Sequence, residues 1–309
     1  MRFFKTLIPA AGYTLYTLGV LFFLLWYMFP ADHIRQKIEY ELSKKTPGLQ
    51  WKIGSLSLAF PGAVALRNIT AKPSSGQHAA NWKITSCTVR PELVSLFRSP
   101  KKNATYKIQL FGGMLSGRLE LASDLQNIRY KGTMKGVDIK KIPLLTQMGR
   151  TASGVLAGKF TGSGHLQTSA VATLQGDFSL SRGTIAFLEP VLGMKQLDFK
   201  QIKGHVVWKK KTLRVTSGLL QAPLLGGSFA GTVNLQDNIL ASQLQLTGML
   251  APRPELMSSL GDVATVKMIK SQLKKGHLPF RLAGTLDSPG LFFGGIASSA
   301  LQQPGRGRQ

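Results

Sequence analysis

From Trp51 onward, apolar and polar residues alternate with a period of two. In Leu174-Gln175-Gly176-Asp177-Phe178-Ser179-Leu180, apolar residues or glycine occupy every second position. Phe229, Gly231, Val233 and Leu235 alternate with Ser228, Ala230, Thr232 and Asn234, and Leu240, Leu244 and Leu246 with Ala241, Gln243, Gln245 and Thr247. Phe280, Leu282, Gly284 and Leu286 repeat the pattern against Arg281, Ala283, Thr285 and Asp287. Strands with one apolar and one wet face predict antiparallel pairing. A motif, apolar-x-Gly-x-apolar, recurs at Tyr130-x-Gly132-x-Met134, Leu156-x-Gly158-x-Phe160, Leu174-x-Gly176-x-Phe178, Phe229-x-Gly231-x-Val233 and Leu282-x-Gly284-x-Leu286. Glycine falls on the apolar side each time, where it removes side-chain volume and lets a sheet bend. A strongly curled sheet with an apolar concave face would use glycine this way, and so would the corners of an ordinary barrel.

Three segments break this period. Asp32 to Lys45 reads as a short helix with Ile34, Ile38 and Leu42 on one face and Asp32 as the cap; it would lie on a membrane surface or plug the end of a sheet. Asp138 to Met148 reads as a helix capped by Asp138 and stopped at Gly149. Pro254 to Lys275 reads as one longer helix, with Pro254 in its first turn and Gly276 after its last. The tail, 295–309, is rich in Gly, Gln and Arg and is expected to be disordered.

The N-terminus differs in kind. Leu7 to Phe29 carries no charged side chain, and its roughly 34 Å as a helix compares with about 30 Å of bilayer hydrocarbon. Leu15, Leu18, Leu21, Phe22, Phe23, Leu24 and Leu25 favour insertion, Trp26 and Tyr27 suit the interface, and Pro30 closes the helix. The run is longer than the apolar core of a signal peptide, and Phe29-Pro30-Ala31 is a poor cleavage site. The expected organisation is a transmembrane anchor over 1–30, an amphipathic helix over 31–46, a β-rich domain over 47–294 and the tail. Arg2 and Lys5 before the anchor, and Arg35, Lys37, Lys44 and Lys45 after it, leave the topology open.

Composition narrows the partners. The 309 residues carry 39 Lys plus Arg against 14 Asp plus Glu, a net charge of +25. That balance favours anionic partners: lipid head groups, nucleic acid or an acidic protein. Nucleic acid has only the charge in its favour and no motif. The single cysteine, Cys87, excludes an intramolecular disulfide and reads as a small buried side chain. His33, His78, His165, His205 and His277 share no ligand spacing. Gly154 to Lys159 is one residue short of a phosphate loop, and Phe160 stands where Ser or Thr would hold magnesium. No cofactor, metal site or catalytic constellation is expected, and the chain does not read as an enzyme.

Three stretches carry a family resemblance. They are Leu42-Ser43-Lys44-Lys45-Thr46-Pro47-Gly48-Leu49-Gln50-Trp51 through Phe60-Pro61-Gly62-Ala63-Val64-Ala65-Leu66-Arg67-Asn68-Ile69; Gly176-Asp177-Phe178-Ser179-Leu180-Ser181-Arg182-Gly183 with the strands to Gly231-Thr232-Val233; and Phe280-Arg281-Leu282-Ala283-Gly284-Thr285-Leu286-Asp287-Ser288-Pro289. In them the chain resembles the AsmA-like superfamily of bacterial envelope proteins, with the family's opening helix and first hairpin, its repeating strand unit and its closing strand-turn. Within it the chain looks most like protein N of the type II secretion system (GspN), and it departs from the longer AsmA and TamB types by being compact. The resemblance implies an inner-membrane anchor, a periplasmic domain, a curled sheet with an apolar groove, and a role in a type II protein secretion machine through contacts with other secretion-system proteins. It supplies no catalytic residues. An alternative function is a lipid-binding or lipid-transfer module. There Phe178, Phe187, Phe229, Val233, Leu244 and Leu246 would line the groove and basic residues would meet the phosphates of a phospholipid or other anionic lipid. The same six positions also suit an ordinary domain core.

Overall fold

In a computed structural model the chain is described over residues 28–46, 48–59, 62–73, 81–92, 95, 100–124, 126–147, 151–165, 171–236, 238–259, 263–294 and 296–297, with single positions 13, 16, 17, 19, 20 and 24. The alternating segments form strands β1 (Leu49–Ala59), β2 (Ala63–Pro73), β3 (Trp82–Pro91), β4 (Lys102–Leu110), β5 (Gly113–Leu121), β6 (Asn127–Asp138), β7 (Val155–His165) and β8 (Val171–Val191). They continue as β9 (Met194–Lys209), β10 (Thr212–Gln221), β11 (Leu225–Asn234), β12 (Gln243–Pro252), β13 (Leu278–Thr285), β14 (Pro289–Phe293) and β15 (Ile296–Ala297). All fifteen belong to one sheet in sequence order, each antiparallel to the next. The fold is therefore mainly β, as the alternation predicts, and every sheet contact between neighbouring strands is local in the chain.

Among the described residues four helices accompany the sheet: α1 (Ala31–Lys45), α2 (Pro143–Gln147), α3 (Pro254–Ser259) and α4 (Val263–Gln272). Their bounds correct three expectations. Asp32 does not cap α1: Pro30 holds the cap position without a side-chain bond, and Asp32 sits in the first turn, 3.1 Å from Arg35. Asp138 does act as a cap, accepting from Lys140 N, but of a 3-10 turn, Ile139–Lys141. Pro143 explains the interruption, since its ring pushes Ile142 into extended backbone (φ −77°, ψ 115°) and α2 starts afresh. The helix expected over Pro254–Lys275 is helical over Pro254–Ser259 and Val263–Gln272 and ends three residues early, where Lys274 bridges to His277; residues 260–262 lie outside the described residues.

The helix α1 closes the sheet's first edge. A free edge strand presents unpaired N–H and C=O groups. Here Glu39 Oε1 accepts from Ile53 N at 2.6 Å, Ser43 Oγ accepts from Trp51 N at 3.3 Å, and Arg35 Nη1 donates to Gly54 O at 3.3 Å. Trp51 Nε1 donates to Thr46 Oγ1 at 2.8 Å, fixing the helix exit. Of the two placements open for this helix, the structure has it on the sheet, with Ile34, Ile38 and Leu42 half-buried.

At the far end a packed core forms on the apolar side. Phe199, Leu225, Leu250, Leu278 and Phe293 meet Leu256 of α3 and Ile269 of α4, with Leu192 from the β8–β9 turn. Among the described residues no helix is long and apolar enough to cross a membrane. Of the expected anchor residues, Leu15, Leu18, Leu21, Phe22, Phe23, Leu25 and Trp26 lie outside the described set. Leu24 lies within it, helical and exposed. The tail beyond Ala297 is likewise outside it.

Candidate functional site: an apolar sheet face and a basic one

In an antiparallel sheet, registered partners point to the same side. Tracing the register from Leu56 on β1 gives Leu66, Cys87, Ile108, Leu115, Met134, Gly158, Phe178, Gly204, Gly218, Phe229, Gly248, Phe280 and Phe293. This row crosses fourteen strands without one charged side chain. A parallel row runs Tyr106, Gly117, Gly132, Phe160, Gly176, Val206, Val215, Gly231, Leu246, Leu282 and Leu291. A third runs Leu119, Tyr130, Gly162, Leu174, Trp208, Leu213, Val233, Leu244 and Gly284. At about 4.8 Å per strand step the first row extends roughly 60 Å.

The rings and the glycines of this face interlock. Phe178 lies over Gly204, where a Cβ would come within 2.6 Å of the ring; Phe229 covers Gly218 and Phe280 covers Gly248 at 2.5 and 2.6 Å. Each ring occupies the volume that a side chain on the next strand would need. At Gly117, Gly176 and Gly231 a Cβ would instead collide with a carbonyl of the neighbouring strand, so the sheet is pinched toward this face. Six steps separate β8 from β14, roughly 29 Å in a flat sheet. Yet Ile185, Leu197, Leu282 and Leu291 line one cavity of about 880 Å³ with Ile139 and Leu145. The sheet bends toward its apolar face there.

Among the described residues a second layer covers this face only at its ends. In the middle, Phe160, Phe178, Phe229, Val233 and Leu246 are half-buried. Burial pushes the Tyr106 and Tyr130 hydroxyls upward, Tyr106 further through the nearby Tyr130, and burial raises the Cys87 thiol. The tyrosines donate to Lys131 O and Thr173 O at 3.4 and 3.3 Å. Cys87 is half-buried rather than buried.

The other face is polar. One of its rows reads Thr88, Lys107, Ser116, Thr133, Lys159, Asp177, His205 and Ser217. His205 Nδ1 lies 2.9 Å from Asp177 Oδ1. A Ser-His-Asp order on neighbouring strands invites a hydrolytic reading. Asp177 and Ser217 are exposed, however, and no hydrogen bond joins Ser217 to His205 among the described residues, so no activated nucleophile is assembled. No group of His, Cys, Asp and Glu among the described residues could hold a metal ion.

Five of the six expected groove positions share the apolar face: Phe178 and Phe229 lie in the first row, Leu246 in the second, and Val233 and Leu244 are partners in the third. Phe187 lies farther along β8, at the cavity around which the apolar face bends. Arg182 adopts left-handed backbone (φ 48°), which turns β8, and Phe187 beyond it lines the end cavity. Phe160, Tyr106, Tyr130 and Phe280 also belong to this face; the apolar-x-Gly-x-apolar motif already contains Tyr130 and Phe160. Comparison with protein-family models, with curated proteins and with solved structures finds no match.

Proposed function

We propose that the protein is a non-catalytic, membrane-anchored module of the cell envelope whose apolar sheet face shelters the acyl chains of a lipid. One observation carries this reading: three registered rows of apolar residues and glycine, uncharged across most of the sheet and half-exposed in the middle. Contiguous exposed apolar surface beyond a few hundred Å² marks an interaction site. Acyl chains suit a long, featureless trough better than a compact solute, which would use a closed pocket with a few polar fixing groups. In this reading the uncharged segment Leu7–Phe29 is the anchor, and the pinched sheet is the curled groove that the AsmA-like resemblance implies. The test is binding of a radiolabelled phospholipid to the full chain after delipidation in detergent. Retention by the wild type and loss in Phe178→Glu and Phe229→Glu variants that keep their circular dichroism is the expected result. Equal retention by all three rejects the reading.

A second reading, an accessory component of a type II secretion machine with its sheet in the periplasm, draws on the order of elements. The three resembling stretches correspond to α1 with the β1–β2 hairpin, to β8–β11, and to the β13–β14 turn. Co-purification of the chain with an assembled secretion complex supports it; an unchanged secretion profile in cells lacking the chain opposes it.

A further inference from the structure

The polar face is as one-sided in charge as the opposite face is in hydropathy. Lys107 on β4, Arg118 on β5, Lys131 and Lys135 on β6, Lys159 on β7 and Lys203 on β9 are all exposed on it. Five strand steps, roughly 24 Å, separate the outermost of these strands. None of the five lysines has a carboxylate partner among the described residues. The carboxylates nearby are already engaged, Glu120 by Lys101 and Arg129, and Asp177 by His205. Arg118 and Lys131 stand directly opposite each other across β5 and β6; Glu92 Oε1, 2.9 Å from Arg118 Nη2, compensates the arginine, while Lys131 has no such carboxylate among the described residues. Two hollows of about 850 and 650 Å³ on this side share Thr133, Lys159, Asp177 and His205, which leaves room for anionic groups among the lysines.

We infer that this face docks on the headgroups of an anionic phospholipid bilayer. Lysine is depleted from protein interfaces, which favour aromatic residues and arginine. From β1 to β13 the rows of this face are rich in lysine, arginine, serine, threonine and glutamine, with Met114, Val207, Leu219 and Met249 scattered singly among them and no Phe, Tyr or Trp, which removes the stacking platform that single-stranded nucleic acid requires. What remains is an extended array of hydrated point charges, which suits adsorption to an anionic surface at roughly 1 kcal/mol, or about fivefold, per cation. The inference uses the polar face alone and stands apart from the apolar-face reading.

The test holds the full chain in nanodiscs of phosphatidylcholine and measures co-flotation with phosphatidylcholine vesicles containing phosphatidylglycerol. Flotation is expected to rise with the phosphatidylglycerol fraction and to vanish near about 1 M salt, where the screening length is about 3 Å. Joint Lys131→Gln, Lys135→Gln, Lys159→Gln and Lys203→Gln changes are expected to cut the apparent partition coefficient at least about tenfold. Arginine at the same positions retains it. Equal flotation with pure phosphatidylcholine vesicles overturns the inference, as does undiminished binding by a folded glutamine variant. Binding to poly-glutamate or duplex DNA without binding to vesicles also overturns it, in favour of a soluble polyanion. If the glutamine variant does not fold, the salt and phosphatidylglycerol dependence of the wild type and the arginine variant decide the question.

Discussion

Replacing Gly218 by alanine tests the interlocking of rings and glycines directly. A Cβ at Gly218 would lie 2.5–2.6 Å from three atoms of the Phe229 ring, against an optimal carbon–carbon separation of about 3.5–4.0 Å. The ring must retreat by about 1 Å, and overpacking of this kind costs roughly 1–3 kcal/mol. Gly218 has no left-handed backbone, so alanine also recovers the roughly 0.5–1 kcal/mol that glycine costs inside a strand. Gly218→Ala should therefore destabilise by about 1–2 kcal/mol. In a domain of this size that lowers Tm by roughly 2–8 °C, at about 2–4 °C per kcal/mol. In a Phe229→Ala background the ring is gone and only the backbone gain remains, so the same change should be neutral or raise Tm slightly. The assay is thermal unfolding of the four proteins of the double-mutant cycle in one detergent, followed by circular dichroism. A coupling of about 1–3 kcal/mol supports the geometry. Equal cost of Gly218→Ala in both backgrounds refutes it, because the ring would then not rest on that glycine.

Removing the Glu39 carboxylate by Glu39→Ala leaves Ile53 N–H on an open edge. A loss of about 1.5–3 kcal/mol is expected, with faster hydrogen exchange at Ile53 than at Leu56, read by exchange mass spectrometry. Asp124 is held below the ordinary carboxylate range by the N–H groups of Gln126 and Asn127 and by the Asn127 side chain. Its folded pKa is depressed, so its contribution is present above the unfolded pKa and is lost as pH falls through the folded value. Asp124→Asn should accordingly lower Tm at neutral pH and not in strong acid. Burial raises the Cys87 thiol, so its alkylation near neutral pH should be slower than that of free cysteine and should accelerate on denaturation.

Much of the fold can be read from the chain because the sheet is wet on one side and apolar on the other. Period-two alternation reports that directly, and a meander with sequential neighbours adds no long-range pairing for local patterns to miss. Glycine at 132, 158, 176 and 231 marks the apolar face as clearly as leucine does, because in this sheet the missing side chain is the packing surface for a ring or a neighbouring strand. Helix limits are less legible. Asp138 looks like an α-helix cap until Pro143 is weighed, and Asp32 looks like one until Pro30 takes the position. The role of α1 at the β1 edge depends on Glu39 and Ser43 reaching Ile53 and Trp51, a tertiary contact with no local signal. Phe187 illustrates the same limit. Phe187 stands nine residues after Phe178, so strict alternation puts it on the opposite face, but the left-handed Arg182 reverses the alternation and brings Phe187 with Ile185 to the end cavity.

The central claim, that the apolar face holds acyl chains, is tested most directly by a photoreactive benzoylphenylalanine placed one position at a time along β7 and β8. The positions are Phe160 and Phe178 on the apolar face and Thr161 and Asp177 on the polar one. Irradiation of the full chain in its native membrane, followed by mass spectrometry, should give lipid acyl-chain adducts at Phe160 and Phe178 and none at Thr161 and Asp177. Acyl adducts of equal yield at all four positions, or at none, would contradict the account.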